Sequence, residues 1–182
     1  MSRRTIAIAA ALSVLALGSP LISSCANPLA NISYNSGVDK YEQGDYQGAI
    51  ADYSKAIEIN PKFALAYFNR GLAKDDSGEY EGAIADYNKA IEIDPQHALV
   101  YYNRGIVKRK LKDYQGAIAD YDKAIEINPQ LSRVYKNRGI TKERNGDLKG
   151  ACRDYKKAVS LGNHGTIKWL NAKGGTWCRN MR

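Results

Sequence analysis

Three cysteines and two histidines have the widest chemical reach in this chain of 182 residues, and their spacing limits what they can do. Cys25, Cys152 and Cys178 lie far apart, as do His97 and His164, so a zinc site built from neighbouring ligands is not expected. Each histidine falls in a turn between two helical stretches, where exposed polar residues are ordinary. The sequence has no Ser/His/Asp set, no phosphate-cradling glycine loop and no metal pair at helical spacing. Its carboxylates follow a repeat and leave no isolated acid–base pair. The expectation is a protein that is not an enzyme and needs no cofactor or metal.

The elements that must position any other function are helices. The chain is 44% hydrophobic and 25% charged, with five Pro. Without an N-terminal export segment, about 155 residues remain, enough for one domain with a real core. The net charge of +8 is unevenly spread. Residues 30–97 hold six Lys/Arg and twelve Asp/Glu, whereas residues 98–182 hold nineteen Lys/Arg and seven Asp/Glu. A basic protein invites a nucleic-acid reading. The acidic half would repel phosphate, and no nucleic-acid motif accompanies the basic half, so no nucleic-acid partner is expected.

Residues 1–24 read as a signal peptide. Arg3 and Arg4 precede the uncharged stretch Ile6 to Leu17, short for a membrane span, and Gly18, Ser19 and Pro20 then break the helix. Ile22-Ser23-Ser24-Cys25 resembles the bacterial lipobox, which makes Cys25 the expected lipidation site. The alternatives are cleavage after Ala26, a twin-arginine signal beginning at Ser2, or an uncleaved signal anchor. Residues 25–29 would then be a lipid anchor and a short linker. The chain is expected in a bacterial cell envelope, membrane-anchored and facing the periplasm or the exterior, or else signal-anchored or fully exported.

The segment Gly44-Asp45-Tyr46-Gln47-Gly48-Ala49-Ile50-Ala51-Asp52-Tyr53 returns in related form from Gly78, Lys112 and Gly146. Gly48, Gly82, Gly116 and Gly150 align, as do Tyr53, Tyr87, Tyr121 and Tyr155, and Pro61, Pro95 and Pro129. Each unit holds two amphipathic stretches, such as Ala64–Asp76 and Tyr80–Ile93, with apolar residues three and four apart. Small residues such as Gly71, Ala83 and Ala90 let the paired helices approach closely. One unit cannot bury both its faces, so stacking makes the core. Arg70, Arg104 and Arg138 recur with Asp86, Asp120 and Asp154, which suggests an ion pair between the helices of units two to four.

This pattern resembles the tetratricopeptide repeat (TPR) family. The resemblance implies an all-α solenoid of four 34-residue helix-turn-helix repeats at 30–63, 64–97, 98–131 and 132–163, right-handed and with a concave face. Residues 164–182 would form a short capping helix over Thr166 to Lys173 and a tail. Several bacterial TPR proteins look similar in carrying a Cys in the last second helix and another near the end. With Cys25 lipidated in an oxidising compartment, Cys152 and Cys178 would then pair; the alternative is a buried Cys152 and an unpaired Cys178.

The resemblance also places the first helix of each unit on the concave groove. The side chains implied there are Tyr34, Val38 and Tyr41; Leu65, Phe68, Leu72 and Asp75; Leu99, Tyr102, Ile106 and Arg109; and Arg133, Lys136, Ile140 and Arg144. Such a groove is apolar along its middle and basic at its C-terminal end, suited to a protein or peptide segment. Asn35, Asn69, Asn103 and Asn137 recur beside it, either to hold a peptide backbone or to bond within the solenoid. Asn69 matches one position of the clamp by which some TPR domains hold a terminal carboxylate, but Tyr34, Val38 and Leu99 replace polar clamp positions. The expected function is a membrane-tethered adaptor or assembly scaffold. The alternatives are a self-associating structural scaffold and an accessory subunit of an envelope enzyme.

Overall fold

The computed structural model describes residues 27–172 and 175–180. The readings of the signal segment and of Cys25 lie outside these residues. Ten helices follow in order: α1 (Pro28–Glu42), α2 (Tyr46–Ile59), α3 (Ala64–Asp76), α4 (Tyr80–Ile93), α5 (Ala98–Lys110), α6 (Tyr114–Ile127), α7 (Ser132–Arg144), α8 (Leu148–Ser160), α9 (His164–Asn171) and α10 (Thr176–Asn180). None of the described helices is long and apolar enough to cross a membrane.

Local chemistry sets these boundaries. Asp45, Asp113 and Asp147 cap α2, α6 and α8 by accepting from the backbone N–H of Gly48, Gly116 and Gly150 at 2.9, 2.9 and 2.8 Å. Unit two carries Glu79 at this place. Its longer side chain makes no cap bond and accepts instead from Gln47 Nε2 at 2.8 Å. Pro61, Pro95 and Pro129 stand in the turns that end the second helices. The first helix begins at Pro28 with Asn27 as its cap, so the linker expected to run to Leu29 is already helical at its end.

Each unit is an antiparallel helix pair closed by a tyrosine lying on a glycine. A Cβ on Gly71 would stand 2.6 Å from the Tyr87 ring, and one on Gly105 2.7 Å from the Tyr121 ring. Tyr53, Tyr87, Tyr121 and Tyr155 are all buried at this crossing. The first helices of successive units, α1, α3, α5 and α7, also pack against one another, more closely than the second helices do. The array therefore curves with its first helices inside, which makes their free face the concave one.

The expected ion pairs form in units two to four. Arg70 reaches Asp86, Arg104 reaches Asp120 and Arg138 reaches Asp154, each at 2.6 Å and each bidentate. Two parts of this arrangement were not anticipated. Lys40, Lys74, Lys108 and Lys142, one turn further along, join Asp52, Asp86, Asp120 and Asp154 at 2.6 to 2.9 Å. The arginines also reach back to the preceding unit, donating to Ser54, Asn88 and Asp122. Each arginine thus ties three helices together and lies against the ring of Tyr67, Tyr101 or Tyr135. In unit one Ser36 stands in for the arginine and donates to Asp52 at 2.6 Å.

The C-terminal cap comprises two short helices, where one was expected. Trp169 of α9 packs on Tyr155 with ring centroids 4.5 Å apart, and Trp177 of α10 stands edge-on to both. A disulfide joins Cys152 of α8 to Cys178 of α10, with Cα atoms 5.2 Å apart, and both cysteines are buried.

Candidate functional site

The concave wall carries one apolar row: Val38, Leu72, Ile106 and Ile140, one from each unit and all half-buried. Tyr34, Tyr41 and Tyr102 flank it, also half-buried, and Leu65 is exposed at the edge of α3. Leu99 lies at the border of a cavity of about 380 Å³ that Arg133 also lines. Phe68 sits deeper than the other groove residues. It is only 9% exposed and packs between Tyr87 and His97, so its ring is floor and core at once. Its neighbour His97 is thereby occupied in packing.

Two cavities open on this wall. One of about 220 Å³ lies between Val38, Tyr41, Glu42, Tyr53, Asn69 and Leu72. The other, of about 240 Å³, is closed at the far end by the cap and is lined by Lys136, Ile140, Glu143, Tyr155, Thr166 and Trp169. Glu143 is a correction. One repeat position runs Tyr41, Asp75, Arg109 and Glu143 at 34-residue spacing, and the helical turn puts Glu143 on the groove while Arg144 is exposed one residue beyond it. The basic end of the groove therefore contains a carboxylate, and Glu143 accepts from the Tyr155 hydroxyl at 2.5 Å.

The recurring asparagines mostly bond within the solenoid. Asn69 donates to the Tyr34 hydroxyl and Asn137 to the Tyr102 hydroxyl, both at 2.8 Å and both across to the preceding unit. At the intervening level the preceding residue is Phe68, which has no hydroxyl. Asn103 turns to the Leu99 carbonyl of its own helix instead, at 2.8 Å. Asn35, in the first unit, is exposed.

Charge is graded along the wall. Toward the N-terminal end, Asp76 accepts from the Tyr41 hydroxyl at 2.5 Å, and Asp75 pairs with Lys110 at 2.5 Å. Further along, Arg133 lies over the Tyr102 ring at 5.9 Å. Burial pushes the tyrosine hydroxyls up, to about 12 for Tyr53 and Tyr121, so they remain protonated donors at neutral pH. Among the described residues no group of three or more His, Cys, Asp or Glu could hold a metal ion. The site can bind by shape, apolar burial and hydrogen bonding.

Comparison with known proteins agrees with this architecture. Models described as TPR repeat and Tetratricopeptide repeat match residues 37–74, 76–111 and 98–131. No curated protein matches the chain. Among solved structures, MamA is similar at 26% identity and a TM-score of 0.72, over 78% of this chain and 84% of that one. The Arabidopsis OM64 TPR domain is similar at 26% identity and a TM-score of 0.59, over 64% and 93%. The first TPR domain of Spaghetti (RPAP3), solved with an HSP90 peptide, shares the fold at 22% identity and a TM-score of 0.64, over 65% and 94%. Repeat period, helix pairing and these matches lead to one conclusion: the chain belongs to the tetratricopeptide-repeat family.

Proposed function

We propose that this protein is a non-enzymatic adaptor that holds a peptide segment of a partner protein in its concave groove, tethered to a membrane through Cys25. The observation that carries the peptide reading is the row Val38, Leu72, Ile106 and Ile140, half-exposed on a wall that no other described element covers. Apolar anchors spaced along a preformed groove suit an extended or helical segment. The Spaghetti TPR domain holds a peptide on the same fold, but at 22% identity that likeness speaks of the fold, so the reading rests on this chain's own groove.

A photo-cross-linker at Leu72 or Ile106, in native membranes, should trap one partner, and Leu72→Ser with Ile106→Ser should abolish the capture while circular dichroism shows the helices still formed at the assay temperature. Unchanged capture by the folded double variant would sink the groove reading. The tether rests on the Ile22-Ser23-Ser24-Cys25 motif. An unreduced intact mass matching residues 25–182 plus acyl chains supports it, and an unprocessed chain removes it.

A second reading, self-association into a scaffold, is favoured by the opposite charges of the two halves and by exposed Leu29 and Ile32 on α1. Sedimentation of the protein in detergent separates the two, since a strict monomer rules out self-association.

A further inference from the structure

The first unit exposes what later units bury. Ile32 of α1 is 64% exposed, whereas Ala66, Val100 and Val134, at the same place in units two to four, are fully buried in clusters with the second helix of the unit before. Leu29 is 63% exposed, whereas its counterparts Phe63 and His97 pack on Tyr34 and Phe68 of the preceding unit. Leu29 and Ile32 stand one turn apart on the same face of α1. They are stacking surface, and no described element covers them.

Further along α1 the same face turns polar. Asp39 is exposed where Ala73, Val107 and Thr141 are fully buried, so a further repeat stacked here would bury a carboxylate. A second copy meeting this face alone would bury little beyond two side chains, far less than a stable dimer needs. The chain around the face points to lipid instead. No charged residue and no histidine stands between Arg4 and Asp39. Leu29 is at most about 14 Å of chain from Cys25. Asn27 already caps α1 and Pro28 opens it, so Ala26 alone separates Cys25 from the helix cap. The acids of unit one stand off from this corner. Asp39, Glu42 and Asp45 lie toward the far end of α1 and the turn after it, and Glu58 at the near end is matched by Lys62.

From this we infer that Leu29 and Ile32 seat the solenoid on the bilayer, entering the headgroup layer beside the lipid on Cys25 and so fixing the orientation of the concave wall. The inference rests on the tether reading above. Lipid chains alone hold a domain at the surface and leave it free to turn. Two apolar side chains on the first turns of α1 add a second contact at a fixed place, because apolar groups gain by leaving water for the interface. A charge put at the same place would lose by that transfer and lift the corner away.

The test uses the full chain isolated from membranes, its lipidation read by intact mass, in phosphatidylcholine vesicles. With the Cys25 thiol lipidated and Cys152 joined to Cys178, Ile32→Cys introduces the only free thiol, which takes a spin label. That label should be several-fold more accessible to oxygen, relative to a water-soluble nickel chelate, than one at Gln115→Cys, exposed on α6 at the opposite edge. A label at Lys62→Cys, in the turn after α2, should shift toward the aqueous value when Leu29→Asp and Ile32→Asp are added. Both residues are exposed, so that variant folds, as circular dichroism will show. A lipidated chain whose Ile32 label is as wet as the Gln115 label, or whose Lys62 label ignores the two aspartates, overturns the seat and leaves the tether standing. Spin–spin broadening between copies at Ile32 also overturns it, since a second copy then covers the face. A mass without acyl chains removes the tether, and the seat with it.

Discussion

The seam between the helices of a unit and the concave wall are built from the same four repeats, yet they treat repetition in opposite ways. Along the seam the same groups recur: a glycine under a tyrosine ring, and an aspartate between an arginine and a lysine. Along the wall one position changes at every level, from Tyr41 to Asp75, Arg109 and Glu143. Seam residues face partners that are themselves repeated, so any drift is opposed four times over. The wall mixes that changing position with one row that keeps both period and apolar character, Val38, Leu72, Ile106 and Ile140. Strict recurrence of specific polar groups therefore marks the seam, and variation at a fixed period is confined to the wall.

The comparison breaks most sharply at Asp120. Asp120→Ala leaves Arg104 and Lys108 unpaired in a largely buried place and should lower stability by about 3–5 kcal/mol in denaturant titration. Arg133→Gln on the exposed wall should stay within about 0.5 kcal/mol of the parent. If the two changes are equally damaging, the division between seam and wall fails. Removing the disulfide by Cys152→Ala with Cys178→Ala should cost about 3 kcal/mol, read as a fall in thermal midpoint together with loss of the Trp169 and Trp177 environment in fluorescence.

Unit one gives a finer test, because Lys40 and Ser36 replace the full arginine arrangement there. Hydrogen bonds from Lys40 and Ser36 hold the Asp52 carboxyl down at about 2, below its ordinary 3.8. A folded value depressed in this way gives stability that is present above 3.8 and lost as pH falls through about 2. Over that window the parent should lose more stability than Asp52→Asn, as followed by circular dichroism. A small effect of opposite sign is expected at Lys112, which has a φ of 65° where other units place Gly44, Gly78 and Gly146. Lys112→Gly should stabilise by about 1 kcal/mol in the same denaturant assay, by relieving the left-handed backbone.

Much of the fold was legible because its signals are local and repeated. The bounds of α3 and α4 follow from apolar spacing and from Gly78 and Pro95, and the Arg–Asp pairs follow from their common period. What escaped depends on direction. That the arginines also reach Ser54, Asn88 and Asp122 could have been suspected from the matching 16-residue separations, but only the stacking angle makes the reach possible. The family resemblance places Phe68 in the groove, whereas burial against Tyr87 and His97 makes it part of the core as well. Glu143 was recoverable from the sequence by strict counting of the period. The second cap helix, α10, was not, since it lies past the last repeat and is placed by the disulfide and by aromatic packing.

The arginine that ties three helices is present in units two, three and four and absent from unit one. The opposite end is closed covalently. Among the described residues the solenoid is therefore a zipper stapled at one end only: opening begins at α1, and each later unit must release an arginine held by both its own unit and the one before it. Backbone amide exchange will run in that order, fastest in α1 and slowest in α8, and a pull applied at the N-terminus will be resisted in steps.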